Sequence, residues 1–124
     1  MEGGCHCRAI RFKTDQETSW VGACYCIDCR KVSGAPYVVW AMYDTDRVKI
    51  NGNPKIYSSS QNVNRSFCEN CGSSFSYQYK DKPEKMGIPI GIFDNAENFR
   101  LQKHVWISQK LPWVHITDDL PQKQ

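Results

Sequence analysis

The stretch CYCIDCRKVSGAP, residues 24–36, decides how this chain of 124 residues folds. It brings Cys24, Cys26 and Cys29 so close together in sequence that their sulfurs can face a single metal ion. We expect Ser33-Gly34, which follows the cysteines, to shape the loop rather than to react, because no base is indicated beside the serine. The stretch therefore predicts a metal-binding loop.

Two further cysteine pairs lie outside this stretch. Cys5 and Cys7 stand near the start of the chain, and Cys68 and Cys71 stand near its middle, followed by Gly72. A glycine suits the tight turn of such a pair, because it adopts φ > 0 without strain. Two pairs supply four thiolates, which close a tetrahedral structural zinc site. This site would join the N-terminal strand to the middle of the chain and strengthen a small core.

The remaining three cysteines leave one ligand position open. A zinc ion held by Cys24, Cys26 and Cys29 would accept water or substrate, which is the pattern of a catalytic zinc. Spacing alone does not fix this division, because a histidine can complete the site instead. The histidines that could do so are His6, His104 and His115. The residues by themselves thus leave an open site and a closed site as alternatives.

Composition and charge indicate an ordinary globular protein and argue against a nucleic-acid or membrane protein. Hydrophobic residues make up 40% and charged residues 23%, as in soluble globular proteins, and the length favours one domain over residues 1–124. The net charge of +3, with no block of lysine and arginine, argues against a nucleic-acid partner. We find neither a secretory signal nor an apolar run of about 18 residues that could span a membrane. We therefore expect a cytoplasmic protein, in which cysteines bind metal rather than form disulfides.

Strand signals dominate the rest of the chain. Alternating polarity and β-branched or aromatic runs predict strands over residues 8–13, 20–24, 36–43, 47–50, 73–79, 88–93 and 104–107. Helical signals are confined to residues 26–32 and 95–99, and the polar tail from Thr117 is expected to fray. The predicted fold is mostly β, with small antiparallel sheets held together by metal-binding loops.

Several motifs, in order along nearly the whole chain, resemble the glutathione-dependent formaldehyde-activating enzyme family, whose domain also occurs in centromere protein V. They are GGCHC (residues 3–7), CYCIDCRKVSGAP (24–36), FCENCG (67–72), HVWIS (104–108) and LPW (111–113). One departure is Arg8, which stands where many members have glycine after the first cysteine pair.

The resemblance implies a Mss4-like, or β-tent, fold and two zinc ions per chain. It matches Cys5, Cys7, Cys68 and Cys71 to the family's structural zinc ligands, and Cys24, Cys26 and Cys29 to its catalytic zinc ligands. It also implies a carbon–sulfur lyase whose small-molecule substrate is a thiol adduct: the family joins formaldehyde to glutathione as S-hydroxymethylglutathione. A zinc hydrolase of another small electrophile and a non-catalytic, zinc-stabilised binding module are the alternatives.

Three side chains outside the cysteine set are candidates for a role in such a site. His104 lies in a family-like motif and is the candidate proton carrier, the alternative being a hydrogen-bonded structural residue. Asp28 lies between two ligands and either orients a ligand or caps a turn. Arg30 either attracts a substrate carboxylate or is a surface charge. The oligomeric state is not predicted.

Overall fold

Ten short strands and one helix make up the computed structural model, which describes residues 1–124. The strands are β1 (Glu2–Gly4), β2 (Arg11–Thr14), β3 (Trp20–Cys24), β4 (Val38–Asp44), β5 (Val48–Asn51), β6 (Lys55–Ser58), β7 (Val63–Phe67), β8 (Ser74–Tyr79), β9 (Lys82–Pro89) and β10 (Lys103–Val105). The helix α1 (Ile27–Ser33) lies between β3 and β4. The prediction of a mostly β fold is confirmed, and α1 corresponds to the helical signal over residues 26–32.

The strands form two sheets of unequal size. A three-stranded antiparallel sheet has the order β1-β2-β5, and a seven-stranded sheet has the order β10-β3-β4-β9-β8-β7-β6. Every pair in the large sheet is antiparallel except β10 with β3, so this sheet is mixed rather than purely antiparallel. No helix is long and apolar enough to cross a membrane.

The main core lies where the small sheet packs on one face of the large sheet. Phe12 of β2 makes edge-to-face contacts with Phe75 of β8 and with Phe93, at ring-centroid distances of 5.5 and 5.0 Å. Tyr43 and Ile88 are almost fully buried beside them. Successive strand residues point to opposite faces of a sheet. In β4, Val39, Ala41 and Tyr43 therefore lie on this face, and Trp40 lies on the other.

A second, smaller cluster forms on the opposite face of the large sheet. Trp40 is 1% exposed there and packs with Cys24 and Cys29. Partly buried Tyr77 and Val105 pack against this group from β8 and β10. The large sheet therefore separates the main core from a small aromatic cluster that contains cysteines.

Several local predictions differ from the structure. The strand predicted over residues 88–93 ends at Pro89, which cannot donate to the ladder, and a single 3-10 turn covers Ile90–Ile92. The helical signal over residues 95–99 corresponds to one 3-10 turn, Ala96–Asn98. The strands β1, β6 and β7 were not predicted, because β1 is rich in glycine, β6 is exposed throughout, and β7 has only two apolar residues, one at each end.

The C-terminal tail is paired with β10, whereas the sequence predicted that it frays. The backbone N–H of His104 donates to Pro121, and the N–H of Lys123 donates to the carbonyl of His104, both at 2.9 Å. The Ile107 N–H donates to Lys123 at 3.0 Å. These backbone bonds hold a polar segment that lacks apolar periodicity, which is why the pattern of side chains did not reveal it.

Candidate metal centres

Cys5, Cys7, Cys68 and Cys71 converge at the edge of the main core and form the four-cysteine site. Their sulfurs all lie within 4.8 Å of one another, with 3.6 Å between Cys5 and Cys7 and 3.7 Å between Cys7 and Cys68. Four sulfurs at about 2.3 Å from a tetrahedral zinc ion are separated by about 3.8 Å. The spacing of the sulfurs therefore fits one zinc ion.

Hydrogen-bond donors surround the sulfurs of the four-cysteine site. The N–H of Ile10 donates to Cys5 Sγ at 3.2 Å, and the side-chain amide of Asn70 donates to Cys7 Sγ at 3.1 Å. The Ser73 hydroxyl lies 3.2 Å from Cys71 Sγ and lowers the pKa of that thiol to about 5. Donors of this kind favour the thiolate form, which is the form that binds a metal.

The turn that contains Cys68 and Cys71 ends at Gly72, which has the left-handed backbone expected of a glycine at this place. Gly72 has φ of 83°, and its N–H donates to the carbonyl of Cys68 at 2.7 Å. The loop after Cys7 reaches the same left-handed region with Arg8, at φ of 70°. Each cysteine pair of the four-cysteine site is therefore followed by a residue in a left-handed turn, but the first of these residues is not glycine.

Cys24, Cys26 and Cys29 form the three-cysteine site at the junction of β3 and α1. Their sulfurs also lie within 4.8 Å of one another. Cys26 is the N-cap of α1, and its sulfur accepts a hydrogen bond from the N–H of Cys29 at 3.2 Å. At the other end of α1, Gly34 adopts φ of 72° and its N–H donates to Arg30 at 2.7 Å. A single capped turn of helix thus brings the three sulfurs together.

The crowding of the three sulfurs favours a bound cation. The pKa of Cys26 is lowered well below its ordinary value, because its sulfur accepts hydrogen bonds from the thiols of Cys24 and Cys29. The pKa of Cys24 is raised correspondingly, because its thiol donates to Cys26 and is buried. A dication can replace these protons and let all three sulfurs carry negative charge, so the donor set fits a zinc ion.

A cavity of about 250 Å³ opens onto the three-cysteine site. All three cysteines line it, whereas no residue of the four-cysteine site does. Its walls include five aromatic residues, namely Trp20, Trp40, Tyr77, Tyr79 and Trp106, and two valines, Val63 and Val105. Arg65 is the one charged residue among the lining residues. The three-cysteine site therefore faces an aromatic cavity that can admit a small molecule.

Two glycines make room for the aromatic walls. A Cβ added to Gly22 would overlap the indole of Trp20, and one added to Gly87 would overlap the ring of Tyr77. Gly87 is paired with Tyr77 across β9 and β8, so the ring lies against the glycine of the neighbouring strand. Burial raises the pKa of Tyr77, which keeps its phenol neutral in the cavity wall.

Comparison with known proteins agrees with this arrangement. The family model for the glutathione-dependent formaldehyde-activating enzyme matches residues 1–109. This chain belongs to that family. The resemblance drawn from the cysteine motifs is thereby confirmed.

Two further proteins are similar to this chain. A protein of Schizosaccharomyces pombe, named as an uncharacterized lyase, is 30% identical over 109 residues, which are 88% of this chain and 80% of that protein. A crystal structure of a Rhodobacter sphaeroides protein has a TM-score of 0.59 and 24% identity, and the match covers 77% of this chain and 89% of that one. The second similarity, at 24% identity, shows a shared fold only.

His104 lies behind the three-cysteine site rather than in its cavity. It is 3% exposed, and its Nδ1 lies 2.8 Å from the hydroxyl of Tyr25. Its Nε2 lies 3.0 Å from both carboxylate oxygens of Asp118, in the C-terminal tail. Its neighbour Val105 lines the cavity, so His104 is on the opposite face of β10. These contacts tie the backbone between Cys24 and Cys26 to the tail.

The other candidates from the sequence, Asp28, Arg30 and His6, do not line the cavity. Asp28 is exposed on the first turn of α1, and Arg30 lies in its last turn, outside the cavity lining. His6 is exposed, and its backbone N–H donates to Ser73 Oγ at 3.0 Å. Arg65 also lines the cavity, although the sequence did not predict it as a site residue. Val63 and Arg65 are two residues apart, which places them on the same face of a strand just before Cys68. This spacing does not indicate which residues of other strands the arginine would contact.

Proposed function

We propose that this chain is a zinc-dependent carbon–sulfur lyase that joins formaldehyde to glutathione, forming a thiol adduct such as S-hydroxymethylglutathione. One observation carries the proposal: the three-cysteine site lines an aromatic cavity, whereas the four-cysteine site does not. Membership of the formaldehyde-activating family supports the reaction class, and the lyase name of the Schizosaccharomyces pombe relative agrees with it. A partner-binding module has no need for a metal site that opens into a cavity.

In this proposal the two cysteine sites hold one zinc ion each. The ligands of a structural zinc would be Cys5, Cys7, Cys68 and Cys71, and those of a catalytic zinc would be Cys24, Cys26 and Cys29. Bound at the three-cysteine site, zinc would supply a Lewis acid that keeps a thiol substrate ionised near neutral pH. Thiolate ligands need a reducing environment, so the proposal places the protein in the cytoplasm.

The cavity walls have two tasks in this reaction. The rings of Trp20, Trp40 and Tyr77 exclude water from one side of the sulfurs, which strengthens electrostatic interactions inside the cavity. They also provide apolar surface against which the carbon atoms of a small adduct can pack. Both tasks favour the addition of a thiol to an aldehyde over hydrolysis.

The proton carrier proposed from the sequence is His104, and its contacts define how it would act. Neither His104 nor Tyr25, whose hydroxyl lies 2.8 Å from His104 Nδ1, lines the cavity, so a proton from His104 would have to pass through a further group or a water molecule to reach the reacting atoms. Burial raises the pKa of Tyr25 to about 12, so this phenol stays protonated at neutral pH. An altered pH–rate profile in His104→Gln would favour the proton-carrier role. A loss of stability with an unchanged profile would favour a structural role.

Metal analysis and exchange kinetics test the proposal. We expect two zinc ions per chain in protein purified under reducing conditions without chelators. With glutathione and ¹³C-formaldehyde, exchange NMR should show adduct formation faster than the spontaneous reaction, and Cys26→Ser should return it to the spontaneous rate. Arg100→Gln, an exposed substitution outside the cavity lining, is the control that should keep the wild-type rate. A wild-type rate equal to the spontaneous one would refute the reaction.

A further inference from the structure

Arg65 is the one cationic residue among those that line the aromatic cavity. It lies on β7 opposite Tyr77 of β8. Its guanidinium carbon is 5.9 Å from the ring centroid of Trp40 and 5.9 Å from that of Tyr77. These cation–π contacts fix the guanidinium against the wall that faces the three cysteines. Packing against these two rings therefore positions the charge, and no carboxylate pairs with it.

The hydrogen-bond donors of Arg65 are largely unused within the chain. Nε donates to Ser59 Oγ at 3.2 Å. Nη1 is buried and has no hydrogen-bond partner, and Arg65 takes part in none of the five ion pairs of the chain. Buried donors in native proteins nearly always have an acceptor. An unpartnered guanidinium nitrogen beside a cavity therefore indicates an acceptor that arrives with a ligand.

The size of the cavity limits which part of a ligand can provide that acceptor. Pockets that enclose a whole drug-sized ligand have volumes of about 300–1,000 Å³. The cavity over the three cysteines has about 250 Å³, so it can enclose the reacting end of a thiol adduct but not an entire tripeptide. An acceptor next to Arg65 is therefore close to the sulfur of the substrate rather than on a distant carboxylate.

We propose that Arg65 binds the substrate oxygen carried next to the reacting sulfur, and so selects thiols and thiol adducts that bear an oxygen close to the sulfur. This inference rests on the proposed function. It assigns to Arg65 a task that neither the cysteines nor the aromatic walls can perform, because none of them places a positive charge beside the oxygen.

The chemistry of adduct formation gives this contact its purpose. The thiol loses its proton, the sulfur attacks the carbonyl carbon, a carbon–sulfur bond forms, and the π pair of the C=O bond moves to oxygen. That oxygen becomes negative and then takes up a proton, so no proton is gained or lost overall. The guanidinium of Arg65 donates hydrogen bonds to the negative oxygen. It stabilises charge and is not the acid.

Binding of simple thiols in the absence of aldehyde provides a test that is independent of turnover. Binding of mercaptoacetate and of ethanethiol to the zinc-loaded protein can be followed by the fluorescence of the cavity tryptophans. We expect wild type to prefer mercaptoacetate, and Arg65→Gln to reduce that preference by about 10- to 100-fold, the effect of one hydrogen bond to a charged group. The control Arg100→Gln removes an exposed charge and should leave the preference unchanged.

Further measurements separate the alternatives. Zinc content and melting temperature show whether Arg65→Gln is folded; if it is not, Arg65→Lys keeps the charge and should lose part of the preference. An unchanged preference in a folded, zinc-loaded variant overturns the proposal. Loss of the preference together with no wild-type turnover of glutathione and formaldehyde overturns the proposed function and supports the role of Arg65.

If wild type does turn over, the kinetics give a second test. Removal of one donor to a developing oxyanion typically lowers kcat by about 10²–10³-fold. We expect a fall of this order in Arg65→Gln, with the Kd for glutathione unchanged. A raised Kd for glutathione with an unchanged kcat would show that Arg65 binds a carboxylate of the peptide instead, and would overturn the proposal.

Discussion

The two cysteine sites use the same ligand atom in different settings. The four-cysteine site joins two segments that are far apart in sequence, and both Cys5 and Cys68 belong to the main core. The three-cysteine site is built from one short segment, and Cys24 and Cys29 pack with Trp40 on the opposite face of the large sheet. The first site is thus part of the packing that holds the two sheets together, whereas the second lines a cavity.

This difference supports the proposed division into a structural and a catalytic centre. A fourth sulfur completes the tetrahedron in one site, and donors from Ile10 and Asn70 occupy its surroundings. In the other site, aromatic rings and Arg65 line the cavity from which a fourth ligand would approach. The two sites thus differ in the number of cysteines and in the residues that surround the sulfurs.

The largest expected effect is from Cys68→Ser, which removes one ligand of the four-cysteine site. Structural zinc contributes about 10–16 kcal/mol in small zinc domains, which rivals the 5–15 kcal/mol total stability of typical domains. We therefore expect the variant to be unfolded at room temperature. Circular dichroism and metal analysis would show this. A folded variant that melts near the wild-type temperature would contradict the structural role.

The next effect is from Cys26→Ser, which acts on activity more than on stability. Serine is also a good N-cap, so the hydrogen bond from the N–H of Cys29 can be kept. We expect the loss of one of two zinc ions, a return to the spontaneous rate, and a decrease in the free energy of unfolding below about 2 kcal/mol. If this variant unfolds as completely as Cys68→Ser, the division between the sites is wrong.

Part of this comparison could be predicted from the sequence. The seven cysteines are local features, since two or three ligands separated by one or two residues must come close together. The division into four and three also depends on pairing across the fold, and the family resemblance provided it. The structure brings both sets together as expected, and Gly72 has the positive φ that its place after Cys71 predicted.

The cavity could not be predicted in the same way. Arg65 approaches Trp40 because β7, β8, β9 and β4 are neighbours in the large sheet. The order of these strands cannot be predicted from the residue pattern of any one of them. The position of His104 has the same cause, since its partner Asp118 lies in a tail without a strand pattern. Local periodicity identified most strands, but the residues that face one another depend on the topology.

A smaller effect is expected from Gly87→Ala, which acts on the wall of the three-cysteine site. The added methyl group would overlap the ring of Tyr77 and force it to move, which typically costs about 1–3 kcal/mol in a packed site. Chemical denaturation should show this decrease, and quenching of the cavity tryptophans by thiols should change. The matched control is Gly91→Ala, where nothing lies within 4 Å of the added atom. Equal effects of the two variants would show that ring packing at Gly87 is unimportant.

The smallest expected effect concerns the loop of the four-cysteine site. Arg8 is exposed and has φ of 70°, a conformation that costs about 1–2 kcal/mol for residues other than glycine. Arg8→Gly removes this strain but makes the unfolded chain more flexible, which offsets about 0.5–1 kcal/mol. We expect a net gain in the free energy of unfolding of up to about 1 kcal/mol, measured by chemical denaturation of the zinc-loaded protein.

Arg100→Gly is the matched control for this change, because Arg100 is an exposed arginine without a positive φ. There glycine brings no relief of strain, and only the flexibility of the unfolded chain changes, so the free energy of unfolding should fall. Opposite signs for the two arginines would show that the loop between Cys7 and the rest of the chain stores strain that zinc coordination maintains. If Arg8→Gly lowers stability as much as Arg100→Gly does, the left-handed turn is not strained, and the loop is held by its own contacts rather than by the metal site.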